Sequence, residues 1–301
     1  MHGFIQKVQK RILNQTLIEP GARVVAAVSG GADSTAMALA LCALGYQPKV
    51  VHVNHGVSSA SSQWADFVAD FARSNGCEFE LLSCDSGRGS EAEMRDGRYG
   101  AFDTLAAGLI ATAHTADDQA ETVLLRIIRG SGSVGLSAIP PKRGRFIRPL
   151  LSVSRSEVLA YLEAGQQEYI HDPSNDCLDP LRNRVRHVLL PLLKSDFQPQ
   201  IVRHLTRIAD ITRSERSFLE AKATEHLERF GLKIAALRDL HAGIRPHVIR
   251  AASPVAISSE RLDAIERLVT GGSGAVQLEG GITVKIDRVI SQLIFRPTKE
   301  C

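Results

Sequence analysis

Along the first two thirds of the chain, short apolar runs alternate with amphipathic stretches. The runs at residues 24–28, 49–54, 78–83 and 108–113 are rich in Val, Ile, Leu or Phe, as buried parallel strands are. Between them the period lengthens to that of a helix. Residues 35–44 are largely apolar, and Trp64, Phe67, Val68 and Phe71 fall at i, i+3, i+4 and i+7, a stripe that faces a core. Ser90 and Glu93 have capping-box spacing and predict a helix running to residue 107; Thr115 with Asp118 predicts another, ending at Gly130. Such alternation predicts an α/β fold, a parallel sheet with helices on both faces. Phe4, Val8 and Ile12 lay a further helix against it.

Past Gly130 the periodicity breaks. Four glycines and a Pro-Pro pair within residues 130–145 predict a mobile loop, and a helix resumes near Ser154. The turn-rich stretch 171–180 leads into an arginine-laden helix over 181–190. From about residue 200 a helix carries the chain to a smaller unit, with a helix at 259–270 and the strand-like runs AVQLEG, ITVKI and ISQLIF. The organisation read from this is a first domain over 1–195, then a linker helix and a small α+β domain over 196–301.

Composition changes little in this picture and charge changes more. Of 301 residues 44% are hydrophobic, which is ordinary for a globular protein. No apolar run approaches the roughly 20 residues of a membrane span, and the opening MHGFIQKVQKRIL has no signal-peptide core, so a cytoplasmic protein without a membrane partner is expected. The five cysteines are widely spaced and never form C-x-x-C, against a disulfide framework, zinc site or iron–sulfur cluster. Net charge is only +3, yet residues 122–156 hold no acid while Arg126, Arg129, Lys142, Arg143, Arg145, Arg148 and Arg155 all occur. A second basic run follows from Arg182 to Arg216. Charge segregated in this way points to a polyanionic partner.

The chemistry concentrates where a strand meets a helix. Ser29-Gly30-Gly31-Ala32-Asp33-Ser34 is a glycine turn between the 24–28 run and the helix that follows, and such a turn aims backbone N–H groups and a helix N-terminus at one anion, here a phosphate. It fits neither G-x-x-x-x-G-K-[ST] nor G-x-G-x-x-G. Asp33 beside an anion makes sense if a divalent cation or a ribose hydroxyl sits there. His114 stands at the carboxyl end of the 108–113 run, and ligands of open parallel sheets gather outside such ends, so residues 29–34, 52–55 and 114–121 share a crevice. Asp117, Asp118 and Glu121 gather carboxylates beside His114. His52 and Asn54 have opposite parity to His55, so only one set faces the crevice.

The loop resembles the SGG-x-DS pyrophosphate loop of the N-type ATP pyrophosphatases, which cleave ATP between the α and β phosphates. Downstream, HVNHG (52–56), EAEMRDGRY (91–99), HTADDQAETVLLRIIRGSG (114–132), RPLL (148–151) and DPSN with RNRVRH (172–187) resemble in order the blocks of the tRNA(Ile)-lysidine synthetase family. The last hundred residues match loosely. The resemblance implies an adenine nucleotide alpha hydrolase-like, Rossmann-like sheet and an enzyme that joins L-lysine to carbon 2 of the wobble cytidine of a CAU-anticodon tRNA(Ile), consuming ATP with Mg2+ through an adenylated base. It assigns Ser29, Gly30, Gly31, Ala32, Asp33 and Ser34 to pyrophosphate and metal, with the backbone at Ala27 and Val53 bordering adenine. Asp118 and Glu121 would pair with lysine's ammonium groups, one assisting deprotonation, and Arg95 or Arg98 would meet its carboxylate. His114 would donate to a phosphate or orient a carboxylate, Arg186 would face the α-phosphate, and Arg129, Arg143, Arg145, Arg182 and Arg184 would contact RNA. A homodimer is compatible with this reading. A tRNA thiolase of the same superfamily is the alternative, and its need for catalytic cysteines discriminates.

Overall fold

The computed structural model describes residues 2–54, 61–83, 100–105, 108–171 and 181–298. The expected helix over 90–107 and the candidates Arg95, Arg98 and His55 lie outside the described residues, as do Cys84, Cys177 and Cys301.

By its contacts the chain divides into two compact units, Met1–Ile211 and Thr212–Cys301. In the first, helix α1 (His2–Asn14) leads to strand β1 (Val24–Ala27), helix α2 (Ala32–Ala43), β2 (Lys49–Asn54), α3 (Ser61–Ser74), β3 (Phe79–Ser83) and β4 (Leu109–Ala111). Helix α4 (Ala116–Ile128), strands β5 (Lys142–Arg143) and β6 (Phe146–Ile147) and helix α5 (Arg155–Ala164) follow. The sheet order is β3-β2-β1-β4-β6-β5, parallel except for the β5–β6 hairpin. Both faces are covered, as the near-continuous apolar strands require. Val24, Ala26, Val50, Ala111 and Ile147 pack with α1, α2, α3 and α5, while Val25, Val51, Val53 and Ile110 face the opposite way, onto Phe102 and Leu105. Phe4, Val8 and Ile12 are buried as the stripe on α1 predicts, and Phe4 stacks on Tyr161 of α5 with ring centroids 4.1 Å apart. Within the α3 stripe, Val68 and Phe71 are buried and Trp64 and Phe67 half-buried. Among the described residues no helix is long and apolar enough to cross a membrane.

Two expectations change. The stretch read as a loop after Gly130 contains a helical turn at Ser133–Leu136 and then the β5–β6 hairpin, which adds β6 to the sheet beside β4. Gly144, with φ +56°, takes the first central position of its two-residue turn, where a positive φ is required. Two-residue strands are too short to carry a period. Second, β4 stops at Ala111, so His114 stands three residues beyond the strand rather than at its end.

Past α5, α turns at Leu181–Arg184 and Leu190–Leu192 alternate with π turns at Val185–Leu189 and Leu193–Phe197. Helix α6 (Ile201–Phe230) contains the boundary between the units. Its first part, through Val202, Leu205 and Ala209, packs with Ala116, Ala120 and Val123 of α4. The second unit has its own core. Helix α7 (Ser259–Thr270) and the antiparallel sheet β7 (Ala275–Leu278), β8 (Ile282–Asp287) and β9 (Gln292–Pro297) bury Leu262, Ile265, Val276, Leu278, Val284 and Leu293 together.

Candidate active site

The strand order changes direction between β1 and β4, and the loops that leave these two strands border the crevice where α/β sheets hold ligands. From β1 comes the loop 29–34. Gly30 has φ +90°, a conformation that favours glycine, and a Cβ there would also have to push aside Ile170 Cδ1 at 2.6 Å. The Ile170 N–H donates to the Gly30 carbonyl at 2.8 Å. Ser34 Oγ accepts from the Ser29 N–H (3.1 Å) and donates to the Gly31 carbonyl (3.0 Å), so this hydroxyl, expected on a phosphate, shapes the loop. Ser29 is exposed. Gly31 is the N-cap of α2 and supplies no side-chain cap. The N–H groups of Ala32, Asp33 and Ser34, which a helix leaves without an internal partner, therefore remain for an anion.

Asp33 sits in that first turn. Its Oδ2 accepts from Arg155 Nη1 at 3.3 Å, while its Oδ1 is buried and has no partner among the described residues. Burial pushes the carboxyl up to about 6, Asp118 and Asp117 add to the shift, and Arg155 and Arg186 oppose it. A buried, half-satisfied carboxylate beside a phosphate loop is a hard-oxygen donor for a divalent cation.

From β4 comes the other wall. Thr115 is the N-cap of α4 and forms a reciprocal capping box with Asp118: the Asp118 N–H donates to Thr115 Oγ1 at 3.4 Å, and the Thr115 N–H donates to Asp118 Oδ2 at 2.8 Å. Asp118 Oδ1 accepts from Arg182 Nη2 (2.9 Å) and Arg186 Nη2 (3.0 Å). Glu121, 1% exposed, takes Arg182 Nε at 2.9 Å and Arg186 Nε at 2.6 Å. The spacing of Arg182 and Arg186, four apart on one helical face, and of Asp118 and Glu121, three apart on another, makes this two-against-two cluster. Burial works against the Asp118 anion, but His114, Arg182 and Arg186 outweigh it and hold the carboxyl below the usual range. Burial likewise opposes both guanidinium charges, and the two carboxylates more than offset it. His114 lies within this field, its Nδ1 3.2 Å from Thr112 Oγ1.

The structure redistributes several expected roles. Arg182, read as an RNA contact, and Arg186, read as an α-phosphate contact, are both bound to carboxylates. Arg145, also read as an RNA contact, is half-buried and donates to the Gly108 carbonyl (3.2 Å) and the Leu105 carbonyl (3.3 Å), tying the hairpin to the chain ahead of β4. Arg129, Arg143 and Arg184 are exposed. His52 is buried with Nδ1 2.9 Å from the Val28 carbonyl, and burial lowers its pKa, so it is a neutral strand-pinning histidine. Ala27 is half-buried, and Val53 is buried on the Phe102 face of the sheet.

Arg155 and Lys194 are expected from the chain only as members of the two basic runs, and the structure brings both to the site. Arg155 is the first residue of α5, its backbone N–H donating to Asp117 Oδ2 at 2.8 Å; Lys194 Nζ reaches Asp117 Oδ1 at 3.1 Å. The Ser154 and Glu157 capping-box spacing was the available signal, since it places Arg155 at a helix start. A cavity of about 340 Å³ opens beside these groups, lined by Asp117, Glu121, Arg155, Arg186, His171 and Lys194, among others. Cys42 and Cys77, with sulfurs 3.3 Å apart, lie away from it, at the end of α2 opposite the loop. Burial and the neighbouring thiol push Cys42 up to about 12, which keeps it protonated.

A family model described as a PP-loop domain matches residues 3–193. The tRNA(Ile)-lysidine synthase of Salinispora tropica is 38% identical over 307 aligned positions, covering 91% of this chain and 92% of that protein. Those of Geobacter sulfurreducens (33% over 325 positions, 97% of this chain and 69% of that one) and Thermobifida fusca (37% over 284 positions, 86% and 88%) are similar as well. Among solved structures, the U34-tRNA thiolase NcsA from Methanococcus maripaludis, with its [4Fe-4S] cluster, superposes with a TM-score of 0.53 at 22% identity, over 69% of this chain and 78% of that one. At that identity the likeness extends to the fold.

Proposed function

The chain belongs to the tRNA(Ile)-lysidine synthase family of PP-loop proteins, and from that premise we propose that it ligates lysine to carbon 2 of the wobble cytidine of a CAU-anticodon tRNA(Ile), using ATP. The observation that carries this reading beyond homology is the meeting of two walls at one switch point, an uncapped phosphate loop and a buried cluster of two carboxylates and two arginines.

The N–H groups of Ala32, Asp33 and Ser34 bind the β and γ phosphates and leave the α-phosphorus open to the crevice. The unstacked cytidine O2 attacks it; the O–P bond forms as the bond to pyrophosphate breaks, giving an adenylated base. Lysine's amine, having lost a proton, then bonds to carbon 2, and AMP departs with the former O2. Asp33 would hold Mg2+, which would supply neutralising charge beside the phosphates, and its Oδ1, without a partner among the described residues, supports that placement. Asp118 and Glu121 are already neutralised by Arg182 and Arg186, so lysine, itself a zwitterion at the α-carbon, inserts with ammonium toward the carboxylates and carboxylate toward an arginine at little net change of charge. Arg95 stays assigned to the lysine carboxylate by family resemblance alone. Exposed Arg129, Arg143 and Arg184 meet tRNA phosphates, and the unit from Thr212 onward grips the tRNA as well. Free lysine, ATP and uncharged tRNA make the cytoplasm its place of action.

Purified protein incubated with ATP, labelled lysine and unmodified tRNA(Ile) is expected to yield lysidine on nuclease digestion. Labelled nucleoside absent while pyrophosphate is released would reject the reading. Asp118→Asn is expected to abolish lysine incorporation and change ATP affinity less than about threefold; loss of ATP affinity instead moves Asp118 to the metal.

A further inference from the structure

The adenylation step requires positive charge on the phosphates, yet the arginines nearest the crevice are unequally available. Arg186 is committed to Glu121 through Nε at 2.6 Å and Nη2 at 3.0 Å, and to Asp118 through Nη2 at 3.0 Å. Arg182 is held comparably, through Nε to Glu121 and Nη2 to Asp118 at 2.9 Å each. Drawing either away would strand a carboxylate that is 1% or 14% exposed. Arg155 differs. Its side chain is 45% exposed and, among the described residues, makes one ion pair, 3.3 Å long, to Asp33 in the phosphate loop. The guanidinium end of this pair reaches solvent, so it exchanges partners at lower cost than either arginine held by two carboxylates.

Its backbone is fixed all the same. Ser154 and Glu157 cap α5, the Arg155 N–H is on Asp117, and the Ala116 N–H donates to the Val153 carbonyl at 2.8 Å, joining the starts of α4 and α5. The base of the side chain is therefore rigid and its guanidinium loosely held, within reach of the loop that binds the nucleotide.

We propose that Arg155 binds the nucleotide phosphates: on ATP binding its guanidinium leaves Asp33 for the triphosphate, while its backbone N–H stays on Asp117. The exchange frees Asp33 as the triphosphate enters, so one residue serves the loop in both states. It takes the role that the chain alone assigned to Arg186. This inference rests on the ATP-dependent reading above.

The test is equilibrium binding of ATP and, separately, adenosine to the full chain by calorimetry, for wild type, Arg155→Gln and Arg155→Lys. Arg155→Gln is expected to weaken ATP at least tenfold and leave adenosine affinity and melting temperature unchanged, with Arg155→Lys recovering part of the loss. ATP affinity unchanged in Arg155→Gln overturns the assignment; so does an equal loss for ATP and adenosine with a lowered melting temperature, which marks a structural staple. A wild-type chain that fails to bind ATP rejects the underlying function, a result distinct from either.

Discussion

At the scale of single residues, the site is governed by how each acid is compensated. Glu121 is almost wholly buried but faces two guanidinium groups, whereas Asp33 has one arginine, at 3.3 Å, and an oxygen with no partner among the described residues, and its carboxyl rises from 3.8 to about 6. The sign follows from proton counts. In the window from about pH 4 to about 6 the unfolded chain has released the Asp33 proton while the fold retains it, so stability falls as pH rises and the cost is complete above about 6. Two units correspond to about 3 kcal/mol. In metal-free buffer, Asp33→Asn is therefore expected to be more stable than wild type near neutral pH by up to that amount, and to lose the advantage as pH falls toward 4. Thermal melts of both proteins across this range check it. A site residue that destabilises its own fold is a common cost of function. The loop sequence exposed the presence of Asp33 in the site but not this imbalance, which depends on what surrounds it.

At the scale of elements, α4 carries the most information per residue. Thr115 and Asp118 were legible as a cap because the interaction closes within three residues, and the helix ends where Gly130, with φ +69°, allows it. The same Asp118 that caps the helix anchors Arg182 and Arg186, so cap and site are one feature. Thr115→Ala is expected to cost about 1 kcal/mol of stability and to reduce lysine incorporation more than ATP binding, because Asp118 Oδ2 loses the hydroxyl that orients it. Denaturant melts and the two substrate assays separate these effects. A melt unchanged with lysine incorporation intact would mean that the box is redundant. The β5–β6 hairpin stands at the other extreme: the glycines and prolines that mark it as irregular are the residues that shape its turn and approach.

At the scale of the whole molecule, two units with separate cores share a chain with a net charge of only +3. The acid-free stretch 122–156 does not act as one surface: Arg145 supports the hairpin, Arg148 is buried and donates to the Pro140 carbonyl at 2.9 Å, and Arg155 faces the phosphate loop. What it leaves exposed at the end of α4 and on the hairpin is Arg126, Arg129 just past the helix, Lys142 and Arg143. Replacing Arg129 and Arg143 together by glutamine is expected to weaken tRNA binding and to reduce the slope of log affinity against log salt by roughly 1 for each phosphate no longer neutralised. ATP affinity should not move. Filter binding over a salt series reads the slope, and an unchanged slope removes these residues from the interface. The chain by itself determined whatever closes over short distances: the alternation of strands and helices, the glycine turn at residues 29–34, the cap at Thr115 and the apolar stripes. Tertiary structure alone decided the partners that convert these elements into a site, Arg182 and Arg186 on Asp118 and Glu121 across 61 to 68 residues and Arg155 on Asp33 across 122. The physical reason is that local periodicity states which face of an element is polar, whereas the identity of an ion pair depends on which polar faces the packed core brings together.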